Sequence, residues 1–279
     1  MTPAEFDFIA QYLKQKSGLV LTPDKQYLLD SRLTPVARRF NLPDLTALIL
    51  KLRSGGDETV SKAVVEAMTT NESFFFRDKT PFEQFERMML PALMKARAGQ
   101  KRLRIWCAAA STGQEPYSLA MILKDKALSA QGWAVEIVGT DLSTEVLARA
   151  TDGLYSQFEV QRGLPIQMLV KHFEKEGEQW RIKPDIRNAV KYRQANLLEP
   201  FRGHLTYDVI YCRNVLIYFD QPAKKDILER MAKLLAHDGY LVLGAAETVI
   251  GLTTAFAPVE GARGIYAKTA AASSLQAAI

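Results

Sequence analysis

The residues of this chain whose types and spacing suit chemistry gather in five places. The segment Ala108-Ala-Ala-Ser-Thr-Gly-Gln-Glu-Pro-Tyr117 is a run of small residues holding one acid, Glu115. Small side chains let backbone N–H groups come close to a ligand. A dinucleotide site wants G-x-G-x-x-G, and only Gly113 is present, which weighs against NAD(P). Glu115 either binds a ligand ammonium or caps a helix, because Thr112-x-x-Glu115 is also a capping box. Asp141 stands 28 residues after Gly113. A carboxylate there can accept both hydroxyls of a ribose; the plainer use is a helix N-cap in Asp141-Leu-Ser-Thr. In Thr69–Arg77 the aromatics Phe74, Phe75 and Phe76 read as core, whereas Asn71, Ser73 and Arg77 are harder to explain as packing. An arginine behind an aromatic run suits a carboxylate. In Asp208–Phe219, Arg213 and Asn214 interrupt an apolar run where a packing residue would serve stability better. Tyr218 alone reads as a core aromatic; its place just past a strand makes it a candidate for chemistry. Lys25, Arg32 and Arg39 recur every seven residues, nearly two helical turns, with Arg38 beside them. They form either a solvated face or a docking surface for an acidic partner. Residues 25–53 hold six bases (Lys25, Arg32, Arg38, Arg39, Lys51, Arg53) and two acids (Asp30, Asp44), a local net of +4.

The elements that must position these residues follow from periodicity. Phe6, Ile9, Ala10 and Leu13 recur at helical spacing, as do Leu29, Leu33, Val36 and Phe40, then Leu45, Leu48, Ile49 and Leu52, then Val60, Val64, Ala67 and Met68. Thr2-Pro3-Ala4-Glu5 is a helix start signal, and Thr80-Pro81-Phe82-Glu83 repeats it before a helix to about Arg97. After residue 100 the period changes. Leu103–Cys107, Val135–Asp141, Val190–Ala195, Tyr207–Cys212 and Tyr240–Gly244 read as strands. Helices follow the small-residue loop to about Leu128, start again near Ser143, and span Pro222–Leu235. Strands alternating with helices predict an open, doubly wound, largely parallel sheet. Ala255–Val259 and Gly264–Lys268 read as a closing hairpin, which makes seven strands. Glu174–Lys183, with Gly177 at its middle, breaks the alternation and reads as a small inserted hairpin. The Ala- and Ser-rich tail 269–279 reads as disordered.

Composition narrows the function classes. At 279 residues the chain has room for about two domains. Its 48% hydrophobic and 24% charged residues argue against global disorder. Cys107 and Cys212 sit in apolar runs without a C-x-x-C partner, and His172, His204 and His237 lie far apart. No metal spacing results, and a reducing compartment fits. The net charge of +5 admits an acidic partner without demanding nucleic acid. No apolar run approaches the ~20 residues of a membrane span. Residues Met1–Asp7 have neither a basic nor an apolar region, so no export signal is expected. These features predict a cytoplasmic protein without membrane insertion, by default a monomer.

Taken together, Thr69–Arg77, Cys107–Met121 (CAAASTGQEPYSLAM), Gly139–Ser143, Asn196-Leu-Leu198 and Cys212–Phe219 (CRNVLIYF), in this order, closely resemble the CheR-type chemoreceptor glutamate methyltransferases over residues 5–268. The resemblance implies S-adenosyl-L-methionine as cofactor and an α/β, class I methyltransferase sheet of seven mostly parallel strands. It implies a helical receptor-docking domain over 1–70, a linker at 71–80 that contributes to the cofactor site, and a catalytic domain over 81–268. A β-subdomain insert is expected at about 172–186. The implied chemistry is methyl ester formation on glutamates of cytoplasmic receptor helices, with the enzyme reaching membrane receptor arrays through the receptors. By motif position Asn71, Ser73, Arg77, Glu115, Asp141, Asn196, Leu197, Arg213 and Asn214 line the cofactor site. Arg77 and Tyr218 lie nearest the methyl transfer, and Lys25, Arg32, Arg38 and Arg39 dock the receptor. Ser73 stands where many members have threonine. Phe173–Lys183 has one glycine and is shorter than the loop of members that tether to a receptor pentapeptide. This resembles the pentapeptide-independent subgroup.

Two rivals differ at named positions. An adenine-N6 methyltransferase of nucleic acid would show an Asn/Asp-Pro-Pro-Tyr/Phe loop where this chain has Cys212-Arg-Asn-Val-Leu-Ile-Tyr. A silent cofactor-sensing module would not need Asn71, Arg77, Glu115, Asp141 and Tyr218 together.

Overall fold

The computed structural model describes residues 1–269, so the expected disordered tail lies outside the described residues from residue 270 on. The chain divides into two units: Met1–Thr70 with Tyr218–Ala223, and Asn71–Ile217 with the residues from Lys224 on.

The first unit holds helices α1 (Pro3–Ser17), α2 (Gln26–Arg39), α3 (Leu45–Ser54) and α4 (Glu58–Met68). Their starts are chemical. Thr2 and Glu5 form the expected capping box, while Asp44 and Asp57 accept the N–H groups of Ala47 and Val60. Each supplies a partner to an N–H that a helix leaves bare. α2 packs on α3 and α4, and α1 packs on the same two. The helical stripes are the buried ones: Ile9, Leu13, Leu29, Leu48 and Val64 have no exposed surface. Each such side chain contributes ~1.5–3 kcal/mol.

In the second unit α5 (Thr80–Gln84) passes through a π turn, Phe85–Met89, into α6 (Leu90–Ala96). Pro91 lacks the N–H that a continuous α-helix would send back to Arg87, and the wide turn lies just before it. Then come β1 (Arg102–Ala108), α7 (Gln114–Asp125), β2 (Ala134–Asp141), α8 (Thr144–Asp152) and β3 (Leu154–Ser156). They are followed by α9 (Gln157–Gln161), α10 (Ile166–His172), β4 (Phe173–Glu176), β5 (Gln179–Ile182), α11 (Pro184–Arg187), β6 (Val190–Gln194) and β7 (Tyr207–Cys212). The chain closes with α12 (Gln221–Leu234), β8 (Leu235–Leu243), β9 (Phe256–Pro258) and β10 (Ile265–Lys268).

Seven strands form one sheet in the order β6-β2-β1-β7-β8-β10-β9. The first five run parallel; β10 is antiparallel to both β8 and β9. The strand order reverses at β1, which places a ligand crevice beyond the carboxyl ends of β1 and its neighbours. Register aligns those ends: Asp141 pairs with Gln194, Ala108 with Thr140 and Cys212, and Cys212 with Leu243. All of β7 is buried, as expected of a central parallel strand.

Two expectations change. Thr80 does not cap α5; it is already helical, and the N-cap position is Lys79, with φ 46° and no side-chain cap. The chain enters through a tight turn in which Lys79 N–H donates to Phe76 C=O at 2.8 Å. The inserted hairpin, β4 with β5, also takes up β3 to make a three-stranded antiparallel sheet. The periodicity reading assigns Leu154–Ser156 to no strand.

Candidate functional site

The loop after β1 carries left-handed backbone at three alternate residues: Ala109 (φ 63°), Ser111 (φ 50°) and Gly113 (φ 93°). Non-glycine residues at such φ are strained, and strain of this kind gathers at ligand sites. At Gly113 a Cβ would lie 2.6 Å from the Tyr192 hydroxyl, so only glycine fits. The twisted loop turns Ser111 N–H onto Asp141 Oδ2 at 2.8 Å, while Ser143 N–H donates to Oδ1 at 3.1 Å. Ser111 Oγ donates to Asn71 C=O at 2.9 Å. Asn71, Ser111 and Asp141 thus form one hydrogen-bonded chain, with Asp141 buried at the end of β2. The N-cap of α8 is Ser143, whose hydroxyl accepts Val146 N–H, so the capping use of Asp141 is not what the structure has.

Arg213, immediately after β7, is the hub of a second cluster. Its Nη1 donates to Glu115 Oε2 at 2.7 Å, and its Nη2 donates to Asp78 Oδ2 at 2.7 Å and to Arg77 C=O at 2.9 Å. Glu115 therefore meets a guanidinium and caps nothing. The N-cap of α7 is Gly113, and Thr112 Oγ1 donates to Gln114 Oε1 instead. Burial pushes the Glu115 carboxyl up, and Arg213 pulls it back only in part. Burial pushes the Cys107 and Cys212 thiols well above their usual range, which disfavours the thiolate form.

Arg77 Nη1 donates to Glu72 C=O at 2.8 Å. Its guanidinium lies 5.6 Å from the Phe74 ring centroid, and that of Arg162 lies 4.3 Å from it. Arg162 also pairs with the Glu72 carboxylate at 2.5 Å. Phe75 and Phe76 are core, as expected. Phe74 is only half-buried, carrying guanidinium groups on its ring. Ser73 lies half-buried in the same segment.

Beyond β6, Ala195 N–H donates to Asp141 C=O at 2.9 Å, which brings the turn with Asn196 and Leu197 against the end of β2. Asn196 Oδ1 accepts Leu198 N–H at 3.0 Å; Leu197 is buried, and its carbonyl accepts from Arg230. Asn214 has φ 57°, and its N–H donates to Glu247. Tyr218 groups with the first unit, where its carbonyl accepts Val20 N–H at 2.9 Å and its side chain is half-buried.

The basic stripe of the first unit is less uniform than its spacing suggests. Lys25, Arg38 and Arg39 are exposed. Arg32 is half-buried and committed: Nη1 donates to Met68 and Thr69 C=O at 2.9 and 3.0 Å, and Nη2 to Thr70 Oγ1 at 3.2 Å. Those are carbonyls at the end of α4, where a helix leaves them bare. Arg32 therefore caps the end of α4 from within the expected docking stripe. Arg53 likewise donates to Ala4 C=O, and Lys51 pairs with Asp57.

Reading from residue types overlooks Asp78, Ser111, Arg162 and Glu247. Glu247 leaves a signal: a lone acid in a small-residue run just beyond a strand end, the same kind of anomaly that singles out Arg213.

The family model described as CheR methyltransferase, SAM binding domain, matches residues 71–265; the one described as CheR methyltransferase, all-alpha domain, matches residues 4–69. Chemotaxis protein methyltransferase 1 of Pseudomonas aeruginosa is 40% identical over 268 residues, covering 94% of this chain and 96% of that protein. Chemotaxis protein methyltransferase Cher2 of Pseudomonas putida is 37% identical over 265 residues, covering 94% and 96%. A chemotaxis protein methyltransferase of Vibrio anguillarum is 37% identical over 267 residues, covering 95% and 96%. The residues present fit S-adenosylmethionine. A buried carboxylate ending β2 is the chemistry a ribose diol requires. The left-handed small-residue loop permits close approach, and Arg213 Nε is a buried donor without a hydrogen-bond partner among the described residues. With both domains matched in order and the sheet built in this strand order, the chain belongs to the CheR methyltransferase family and is an S-adenosylmethionine-dependent methyltransferase of class I fold.

Proposed function

We propose that this chain forms γ-carboxyl methyl esters on glutamate side chains of methyl-accepting chemotaxis receptors, acting in the cytoplasm at receptor arrays. The observation that carries this reading is the pair of connected clusters, Asn71–Ser111–Asp141 and Arg77–Arg213–Glu115, at the carboxyl ends of the parallel strands. The names of the relatives support the substrate class.

When bound, S-adenosylmethionine supplies a sulfonium methyl group. A glutamate with reference pKa ~4.3 is already ionised at neutral pH, so the protein need not remove a proton. What it must supply is alignment, worth as much as ~7–11 kcal/mol. Asp141 holds the ribose hydroxyls, fixed by its two N–H donors. Asn71, Ser73, Glu115, Asn196, Leu197, Arg213 and Asn214 line the same site. Glu115 acts through Arg213, which holds the backbone of Arg77 in place. Arg77 orients the reacting carboxylate without clamping it so strongly as to blunt it. The Tyr218 hydroxyl positions the reacting groups. Lys25, Arg32, Arg38 and Arg39 steer an acidic receptor helix, an effect that salt screens. The short β4–β5 hairpin supports docking without a receptor pentapeptide.

Calorimetry of S-adenosylhomocysteine tests the cofactor half of this reading. Asp141→Asn should raise Kd at least about tenfold, the loss of ~1.4 kcal/mol. An unchanged Kd would remove Asp141 from the site.

A further inference from the structure

The exit from β7 ends on a left-handed residue, Asn214, and turns at once into a 3-10 turn, Leu216–Tyr218. Such a bend directs consecutive N–H groups to one side and makes a concavity for an anion. Here the chain supplies the anion itself. Glu247 Oε2 accepts Asn214 N–H at 2.8 Å and Gly244 N–H at 2.7 Å. Its Oε1 accepts Val215 N–H at 2.9 Å and Leu216 N–H at 2.7 Å. Four backbone donors thus converge on one carboxylate that is only 8% exposed. The fit is close. A Cβ on Gly244 would lie 2.7 Å from Glu247 Oε2 and 2.9 Å from Asn214 N, with no room to shift.

Burying a carboxylate is costly unless its oxygens are satisfied. The N–H donors on these oxygens come from the segments that leave two adjacent strands, β7 and β8. The charge is therefore tolerable only while the loop keeps this shape, and the loop's N–H groups are satisfied only while the charge is there. A packing role alone would be met by an apolar side chain and would leave the loop free to choose its bend.

We infer that Glu247 is a positioning residue for methyl transfer: its carboxylate sets the backbone of the loop that carries Arg213 and Asn214 and leads to Tyr218. This rests on the reading that Arg213 and Asn214 line the cofactor site. Substituting Glu247→Gln keeps the size but leaves one acceptor oxygen, so an amide NH2 faces two of the four N–H donors. Substituting Glu247→Asp keeps the charge and both oxygens at shorter reach.

The test measures S-adenosylhomocysteine Kd and stoichiometry by calorimetry, kcat and KM with receptor-containing membranes, and thermal midpoints. The variants are Glu247→Gln, Glu247→Asp and Asn214→Ala. The inference expects Glu247→Gln to raise Kd or lower kcat per binding-competent site at least tenfold, with Glu247→Asp recovering part of the loss. If Glu247→Gln does not fold, the same defect of Kd or kcat read in Glu247→Asp decides the matter. A variant that loses only thermal stability, with Kd and kcat within twofold of the parent, overturns the inference. Asn214→Ala separates the two readings: an unchanged Kd there removes Asn214 from the site, while the Glu247 variants still decide the positioning role.

Discussion

Arg213 and Glu115 meet as a buried ion pair, Nη1 to Oε2 at 2.7 Å, with 2% and 12% of their side chains exposed. Such a pair adds little net stability over an apolar replacement, but breaking it from one side is expensive. Its value here is geometric: it joins the first turn of α7 to the end of β7, and Asp78 draws the 77–79 turn onto the same guanidinium.

Arg213→Met strands a buried carboxylate and should cost ~3–5 kcal/mol. Glu115→Gln leaves Arg213 paired with Asp78 and should cost less. Burial already pushes Glu115 up, and without Arg213 it should rise further. The protonated acid is then favoured by folding, so Arg213→Met should lose stability as pH climbs from the unfolded value of ~4.3 toward the raised folded one. Urea midpoints between pH 5 and 8 read this directly; equal, pH-independent losses in the two variants would refute it.

A second pH dependence has the opposite sign. Asp238 is held below the usual carboxylate range by hydrogen bonds from Arg97, which also donates to Asp208. The stability this gives is fully present above the unfolded value of ~3.9 and is lost as pH falls through the lower folded value. With Asp238 more than a third exposed, the contribution is modest. The urea-midpoint gap between the parent and Asp238→Asn should therefore shrink from pH 6 to pH 3.

Arg77→Ala should cut methyl transfer by about 10²-fold or more, the scale seen when one preorganised donor is removed from a reacting centre. The S-adenosylhomocysteine Kd should move less than the rate. Arg77→Lys should not restore the parent rate, because lysine lacks the planar fork that stacks on Phe74. Near-normal turnover of the alanine variant sinks the assignment.

The basic face yields a contrast within one helix. Arg38→Glu with Arg39→Glu should lower receptor methylation and flatten its salt dependence while leaving the melting temperature within a few degrees. Arg32→Ala should instead destabilise, since hydrogen bonds from a charged group are worth ~1.5–3 kcal/mol. Methylation rates from 50 to 300 mM salt, set beside thermal midpoints, distinguish the two effects.

Much of this architecture is legible in the residues. The stripes of α1 to α4 and the capping box at Thr2 follow from a period of 3.6 with one buried face, and the central strands from short apolar runs that are buried on both faces. Strand β3 was not legible, since three residues carry too little pattern. The entry to α5 departs from the capping signal at Thr80 because a left-handed turn at Asp78 and Lys79 overrides it. At the site, Arg213 stands out as a charge breaking an apolar run, but its partners Asp78 and Glu115 come from distant segments. The commitment of Arg32 to Met68 and Thr69 is likewise a long-range bond that local spacing does not report.

The most direct test of the account follows the methyl group itself. Purified protein is incubated with S-adenosylmethionine carrying a tritiated methyl and with receptor-containing membranes, and the labelled product is then treated with base. The account predicts label on the receptor band that base releases as volatile methanol, the mark of a carboxyl methyl ester. Label that survives base, or that resides in nucleic acid, would contradict it.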